Sequence, residues 1–130
     1  MKPKILIVTA RYYKDFSQNL EFNASGVLNN KAKYKFVSVP GVFEIPVIIS
    51  KNIKKYDAFL ALGCVIKGET PHFDFISSAT TNAIMKLSIE HKKPIGNGII
   101  TCLNMNQAKA RSKSKGIEAA KAVLSVLKIF

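Results

Sequence analysis

A chain of 130 residues is long enough for one domain with a real core and too short for two. No apolar run approaches the roughly 20 residues of a membrane-spanning helix, which excludes that class. The net charge of +12 points towards polyanions, but the lysines are scattered, and their densest stretch, Lys109 to Lys115, has no aromatic residue to stack on bases. Specific nucleic-acid recognition is therefore not expected, although non-specific electrostatic attraction is.

Met1-Lys-Pro-Lys leads straight into Ile5-Leu-Ile-Val8, which is short, ends at Arg11 and lacks a signal-peptide cleavage region. It reads as the core of a first strand, Lys4 to Thr9, and the default compartment is the cytoplasm. A helix follows from about Asp15 to Asn29, with Phe16, Leu20, Ala24, Val27 and Leu28 on one face. The second strand is Tyr34 to Val39, ended by Pro40-Gly41. Val42 to Lys54 reads as a helix with Pro46 tolerated near its first turn. Asp57 to Val65 holds the run Ala-Phe-Leu-Ala-Leu, suited to a strand covered on both faces.

The helix opening near Pro71 runs to about Glu90 and should bury Phe73, Ile76, Ala83, Ile84 and Leu87. Pro94 begins a fourth strand, Ile95 to Thr101, whose Gly96 and Gly98 weaken its strand character. A short helix from about Asn106 to Ser112 precedes a last one from Ser114 to Leu127, with Ile117, Ala120, Leu124 and Leu127 as its apolar stripe. Strands alternating with helices imply an α/β fold: a three-layer α/β/α sandwich, flavodoxin-like, with a four-stranded parallel sheet in the order 2-1-3-4. Its switch point lies between strands one and three, where ligands of such sheets bind beyond the strand ends. Thr9 to Tyr13, Pro40 to Glu44 and Cys64 to His72 should meet there.

Within that region Gly63-Cys-Val-Ile-Lys-Gly-Glu-Thr-Pro-His72 reads as a strand end, a tight turn and a helix start. Gly68 permits positive φ, Thr70 is a good N-cap and Pro71 fits the first helical position. Free backbone N–H groups at a helix N-terminus suit a phosphate, and His72 stands beside them. Chemistry on a phosphorylated small molecule is the implication. Cys64 and Cys102 have neither metal-ligand nor redox spacing and read as buried or half-buried free thiols; with two scattered histidines, no zinc site is expected. Of twenty basic residues only Arg11 and Arg111 are arginine, which marks them as positions wanting a planar fork, as for a phosphate.

Val39-Pro-Gly-Val-Phe-Glu-Ile-Pro46 and Ala61-Leu-Gly-Cys-Val-Ile-Lys-Gly-Glu-Thr-Pro-His-Phe-Asp74 together resemble lumazine synthase. The likeness runs from the first strand to the last helix, including Gln107-Ala-Lys-Ala-Arg111 and Lys115-Gly-Ile-Glu-Ala-Ala120. It implies a transferase of riboflavin biosynthesis that needs no metal or organic cofactor. The family joins 5-amino-6-(D-ribitylamino)uracil to 3,4-dihydroxy-2-butanone 4-phosphate, forming 6,7-dimethyl-8-ribityllumazine and releasing phosphate and water. The alternative is a non-catalytic flavin- or lumazine-binding protein on the same fold, which loss of His72 or Arg111 would have favoured.

By resemblance His72 is the proton-transfer residue, and a helix N-terminus, which disfavours imidazolium, suits that role. Glu69 and Thr70 match the turn that holds the butanone phosphate; Thr70 and backbone amides can donate to it, whereas the Glu69 carboxylate should point away. Arg111 matches the phosphate-binding arginine. Val42, Phe43 and Glu44 match the segment holding the ribityl chain and pyrimidine, and Cys64, Val65 and Ile66 the strand end that offers backbone groups to the pyrimidine. Tyr12, with Tyr13 next to it, falls where the family carries an aromatic to stack on the heterocycle. Lys115 approaches substrate from the last helix.

Three departures stand out. Asn97 replaces a common phenylalanine, the connection from Arg111 to Gly116 is short, and the chain starts directly at the first strand without a family extension. The family's pocket lies between adjacent subunits, so Asn97 and Arg111 should complete a pocket whose His72 belongs to the next chain. The shortened features favour a homopentamer over a sixty-subunit shell. Riboflavin synthase is the candidate protein partner.

Overall fold

The computed structural model describes residues 2–68 and 71–128. β1 (Lys4–Ala10) leads through α1 (Lys14–Leu28) to β2 (Lys33–Val39), and a 3₁₀ turn (Val42–Glu44) then runs into α2 (Ile45–Lys51). β3 (Ala58–Ile66), α3 (His72–His91), β4 (Ile95–Cys102), α4 (Met105–Arg111) and α5 (Lys115–Val126) follow. The sheet order is β2-β1-β3-β4 with every pair parallel, as the alternating elements require.

The apolar runs of β1 and β3 are central because helices cover both faces. On one side Ile5, Ile7, Leu60 and Leu62 pack with Leu20, Ala24 and Leu28 of α1 and with Ala119, Ala120, Val123 and Leu124 of α5. On the other, Leu6, Val8, Phe59 and Ala61 pack with Ile45 and Ile49 of α2 and Ile84 of α3. Each fully buried aliphatic or aromatic side chain contributes ~1.5–3 kcal/mol relative to exposure, so these two layers carry the fold.

Gly96 and Gly98 do not weaken β4; they let α5 close on it. A Cβ at Gly96 would stand 2.6 Å from the Ala119 carbonyl oxygen and 2.9 Å from Val123 Cγ2, and one at Gly98 would strike Leu62. The space a side chain would take is filled by the α5 backbone at Gly96 and by Leu62 of β3 and Ala119 of α5 at Gly98.

Four expectations are corrected. The helix expected over 42–54 is split, with Pro46 in the first turn of α2 and the helix ending at Lys51. Gly68 does not use its conformational freedom, since no described glycine has positive φ and a Cβ at Gly68 would meet nothing. Pro71 is the N-cap of α3 rather than its first residue, and its carbonyl receives the N–H groups of Asp74 at 3.1 Å and Phe75 at 3.3 Å. Finally, α3 fully buries only Thr80 and Ile84, while Phe73, Ile76, Ala83 and Leu87 are half-buried and Phe75, Met85 and Ile89 are exposed. This helix covers the sheet with one narrow edge and offers the rest outward.

Candidate active site

The carboxyl ends of β1 and β3 open into a cavity of about 280 Å³ lined by Tyr12, Val42, Cys64, Ile66, His72 and Phe73, among others. Val42 can sit close to β3 because Gly63 lacks a side chain: a Cβ there would lie 2.7 Å from Val42 Cγ1. Tyr12 is 76% exposed and meets Tyr13 edge to face at 4.9 Å. The segment bearing both rings is held from behind. Arg11 donates its backbone N–H to Val39 O at 2.9 Å and Nε to Ser38 Oγ at 3.0 Å, and its Nη2 lies 2.7 Å from Glu21 Oε1. The fork of Arg11 is thus spent within the fold rather than on a phosphate. Ser17, buried in the first turn of α1, donates to Ala10 O and supports the same corner.

Chemically this cavity is apolar with a few polar groups at its rim, which suits a flat heterocycle. Cys64 and Cys102 are buried free thiols. Burial pushes the Cys64 thiol up to about 12, with the nearby Cys102 adding to the effect, so it is a packing group and not a nucleophile. Burial also raises the Tyr13 phenol, with Tyr12 and Cys64 contributing.

A second cavity, of about 270 Å³, lies at the free edge of β4 and is lined by Ile99, Thr101, Arg111, Ser114, Lys115 and Glu118, with Ile100. Arg111 is exposed, and its Nη1 donates to Thr101 O at 2.8 Å, which aims the guanidinium along the strand end. Arg111 and Lys115 place two cations together, separate from His72. Among the described residues no group of three or more His, Cys, Asp and Glu could hold a metal ion.

A family model for 6,7-dimethyl-8-ribityllumazine synthase matches residues 2–130. The chain belongs to that family. It is 41% identical to the 6,7-dimethyl-8-ribityllumazine synthase of Agrobacterium fabrum over 98% of this chain and 95% of the relative. The protein of that name from Nitrobacter hamburgensis is also 41% identical, over 97% of this chain and 85% of the relative. So is the one from Bartonella tribocorum, over 97% and 89%.

Against the lumazine synthase expectations, the fold brings Tyr12, Val42, Cys64, Val65, Ile66 and His72 to one cavity, and Arg111 and Lys115 to the other. Glu69 and Thr70 lie outside the described residues. Phe43 is exposed and lines neither cavity. Glu44 is turned back on its own turn, its Oε1 accepting the Gly41 N–H at 3.0 Å, which is the local use of a glutamate at a helix start. Asn97, on the exposed β4 edge, uses Oδ1 to accept the Ile99 N–H at 3.0 Å and lines neither cavity.

Some lining residues were not singled out from sequence. Phe73 and Ile76 have the spacing of core residues; Ile76 does pack against the α2/α3-side core, and both also face the cavity, because helical periodicity marks an apolar face without saying whether a core or a pocket meets it. Ser114 and Glu118 had no signal at all; proximity to β4 put them beside Arg111.

Proposed function

We infer that this chain is a 6,7-dimethyl-8-ribityllumazine synthase, acting as one domain that condenses 5-amino-6-(D-ribitylamino)uracil with 3,4-dihydroxy-2-butanone 4-phosphate. The observation that carries the reading is a heterocycle-sized apolar cavity with His72 at the start of α3, on a chain that matches the family model over residues 2–130. The uracil amine attacks the butanone ketone and water leaves to form a Schiff base. Elimination of phosphate follows, and a second condensation, releasing another water, closes the ring. Positioning of the two substrates supplies much of the rate. His72 moves protons during Schiff-base formation and elimination, and Arg111 offsets the charge of the departing phosphate. Tyr12 stacks on the pyrimidine, whose edge meets backbone groups of Cys64, Val65 and Ile66. Val42, Phe43 and Glu44 contact the ribityl chain, the Thr70 hydroxyl and the backbone amides of the Glu69–Thr70 turn donate to the phosphate while the Glu69 carboxylate points away, and Asn97 and Lys115 form part of the pocket wall.

The separation of the cations from the histidine supports an active site shared between copies. Arg111 and Lys115 line a different cavity from His72, so a substrate needing both is held where the β4 edge of one chain meets the α3 side of another. The outward apolar residues of that side fit the same arrangement, with Phe75 and Ile89 each 68% exposed. We place the assembly as a homopentamer rather than a sixty-subunit shell, resting on the three-residue connection, 112–114, between α4 and α5. Riboflavin synthase, which consumes the lumazine, is the candidate partner. No described helix is long and apolar enough to cross a membrane, and the cytoplasm is the proposed compartment.

Incubation with both substrates should produce the lumazine chromophore, and no product under conditions where a relative is active would leave the non-catalytic binding protein as the reading. Mixed assemblies of His72→Ala and Arg111→Ala chains should regain activity through intact shared pockets. Verified subunit exchange without recovery would overturn the shared site, and a light-scattering mass near sixty chains would overturn the pentamer.

A further inference from the structure

At the N-terminal end of the sheet, away from both cavities above, a cleft of about 440 Å³ is lined by Lys4, Lys33, Tyr34, Lys35, Lys55 and Tyr56. Strand geometry gathers the charges. Lys4 and Lys33 are register partners in the parallel β1–β2 pair, which sets their backbones ~4.8 Å apart with side chains on one face. Lys35 follows Lys33 by two residues, so its side chain leaves the same face ~6.6 Å further along. That face is the α2/α3 side, because Leu6 and Val37, of the same parity, pack there. Lys55 arrives from the segment before β3, beside Tyr56, which packs against the same core.

Like charges at adjacent register positions repel. Among the described residues no ion pair joins any of these four lysines to a carboxylate. The Asp57 carboxylate accepts the Lys4 backbone N–H at 2.8 Å and does not line the cleft. A concave site with four ammonium groups and no acid among its lining residues suits an anion of high charge density.

The residue types narrow the ligand. Lysines are point charges on mobile stems and fit a flexible chain of phosphates, whereas arginine forks would favour one fixed oxyanion. Base stacking is disfavoured by how the two rings are used. Tyr34 packs on the opposite α1/α5 core and donates its hydroxyl to Asn29 Oδ1 at 2.6 Å, and Tyr56 sits edge-on to buried Phe59 at 6.1 Å. We propose that this cleft binds a linear oligophosphate through its phosphate oxygens, the source being inorganic polyphosphate or the phosphate chain of a nucleoside triphosphate. Lysines on an edge strand such as β2 also discourage edge-to-edge pairing, and the test separates the two roles.

Calorimetric titration of the full chain with inorganic triphosphate, ATP and a single-stranded oligonucleotide decides the matter. The Lys33→Gln/Lys35→Gln variant should bind triphosphate about tenfold or more weakly, while Lys113→Gln/Lys121→Gln, with the same charge change, shifts affinity by less than about twofold. Arg111→Ala should retain triphosphate binding, which separates the cleft from the substrate site, and the Lys33/Lys35 variant should keep its rate of lumazine formation. Equal affinity for ATP and triphosphate assigns the shared phosphate chain; weaker ATP binding assigns free polyphosphate. Equal losses in the two double variants, or loss in Arg111→Ala, overturns the proposal. Tighter binding of the oligonucleotide at equal phosphate count also overturns it, in favour of a nucleic-acid surface. Aggregation of the Lys33/Lys35 variant with unchanged triphosphate affinity overturns it in favour of edge protection.

Discussion

Gly116→Ala sets two opposing effects against each other in the first turn of α5. Within a helix, alanine is favoured over glycine by ~0.8–1 kcal/mol. In this fold the added Cβ would strike the Leu20 carbonyl oxygen of α1, with Leu20 C at 3.2 Å and Cα at 3.3 Å. These are backbone atoms of a packed helix, so no rotamer change relieves the contact and α5 must move away from α1. Overpacking of this kind costs ~1–3 kcal/mol, and a collision with backbone belongs towards the upper end. The cost wins, with a net loss of ~1–2 kcal/mol. For a chain of this length that lowers Tm by roughly 3–10 °C at fixed protein concentration. The displacement also carries the adjacent Lys115 and its cavity, so KM for the butanone phosphate should rise more than KM for the pyrimidine. Thermal unfolding by circular dichroism and steady-state kinetics read both effects. A Tm equal to or above that of the parent would show propensity winning and would refute the close-contact reasoning.

His72→Ala should lower kcat by about 10²-fold, the lower end for general acid–base groups because the amine is itself a good nucleophile, with little change in KM; an unchanged kcat removes His72 from proton transfer. Arg111→Lys keeps the charge but loses the fork and the bond to Thr101 O, so KM for the butanone phosphate should rise selectively, and equal effects on both substrates would indicate a structural role. Arg11→Lys should loosen the segment carrying Tyr12 and raise KM for the pyrimidine, since one ammonium cannot reproduce the contacts to both Ser38 and Glu21; unchanged pyrimidine kinetics would show that the aromatic segment holds without it. The Cys64 thiol titrates near 9.0 when free and about 12 in the fold. Between those values the unfolded chain releases a proton that the folded chain keeps, so stability falls as pH rises, by up to ~1.4 kcal/mol per pH unit from this group. Cys64→Ala should flatten that part of the pH–stability curve measured by urea unfolding, and parallel curves would show that burial does not hold the proton on.

The order of the elements and the sheet was legible in the residues themselves, because apolar runs in β1 and β3 and periodic faces in α1 and α5 each admit few burial solutions. The neighbourhood of Tyr12, Val42, Cys64 and His72 was legible too, since parallel strands leave their carboxyl ends on one side and the crossover order selects the crevice. Local turn chemistry was less so: Gly68 has the freedom for positive φ but no need of it, and Pro71 sits one position earlier in the helix than its ring geometry favours. Gly96 and Gly98 look like weak points in a strand until α5 is seen close against them, and Gly116 looks like one in a helix until the Leu20 backbone of α1 is seen against it. Arg11 and Arg111 are the same residue in sequence, and only three-dimensional proximity separates a clamp on Ser38 and Glu21 from a guanidinium exposed at the β4 edge. The distance between His72 and the cations could not be read from spacing at all, because it depends on which face of β4 the last two helices cover. That is decided by packing between segments remote in the chain, where the nearest partner is set by shape and volume and not by any local pattern.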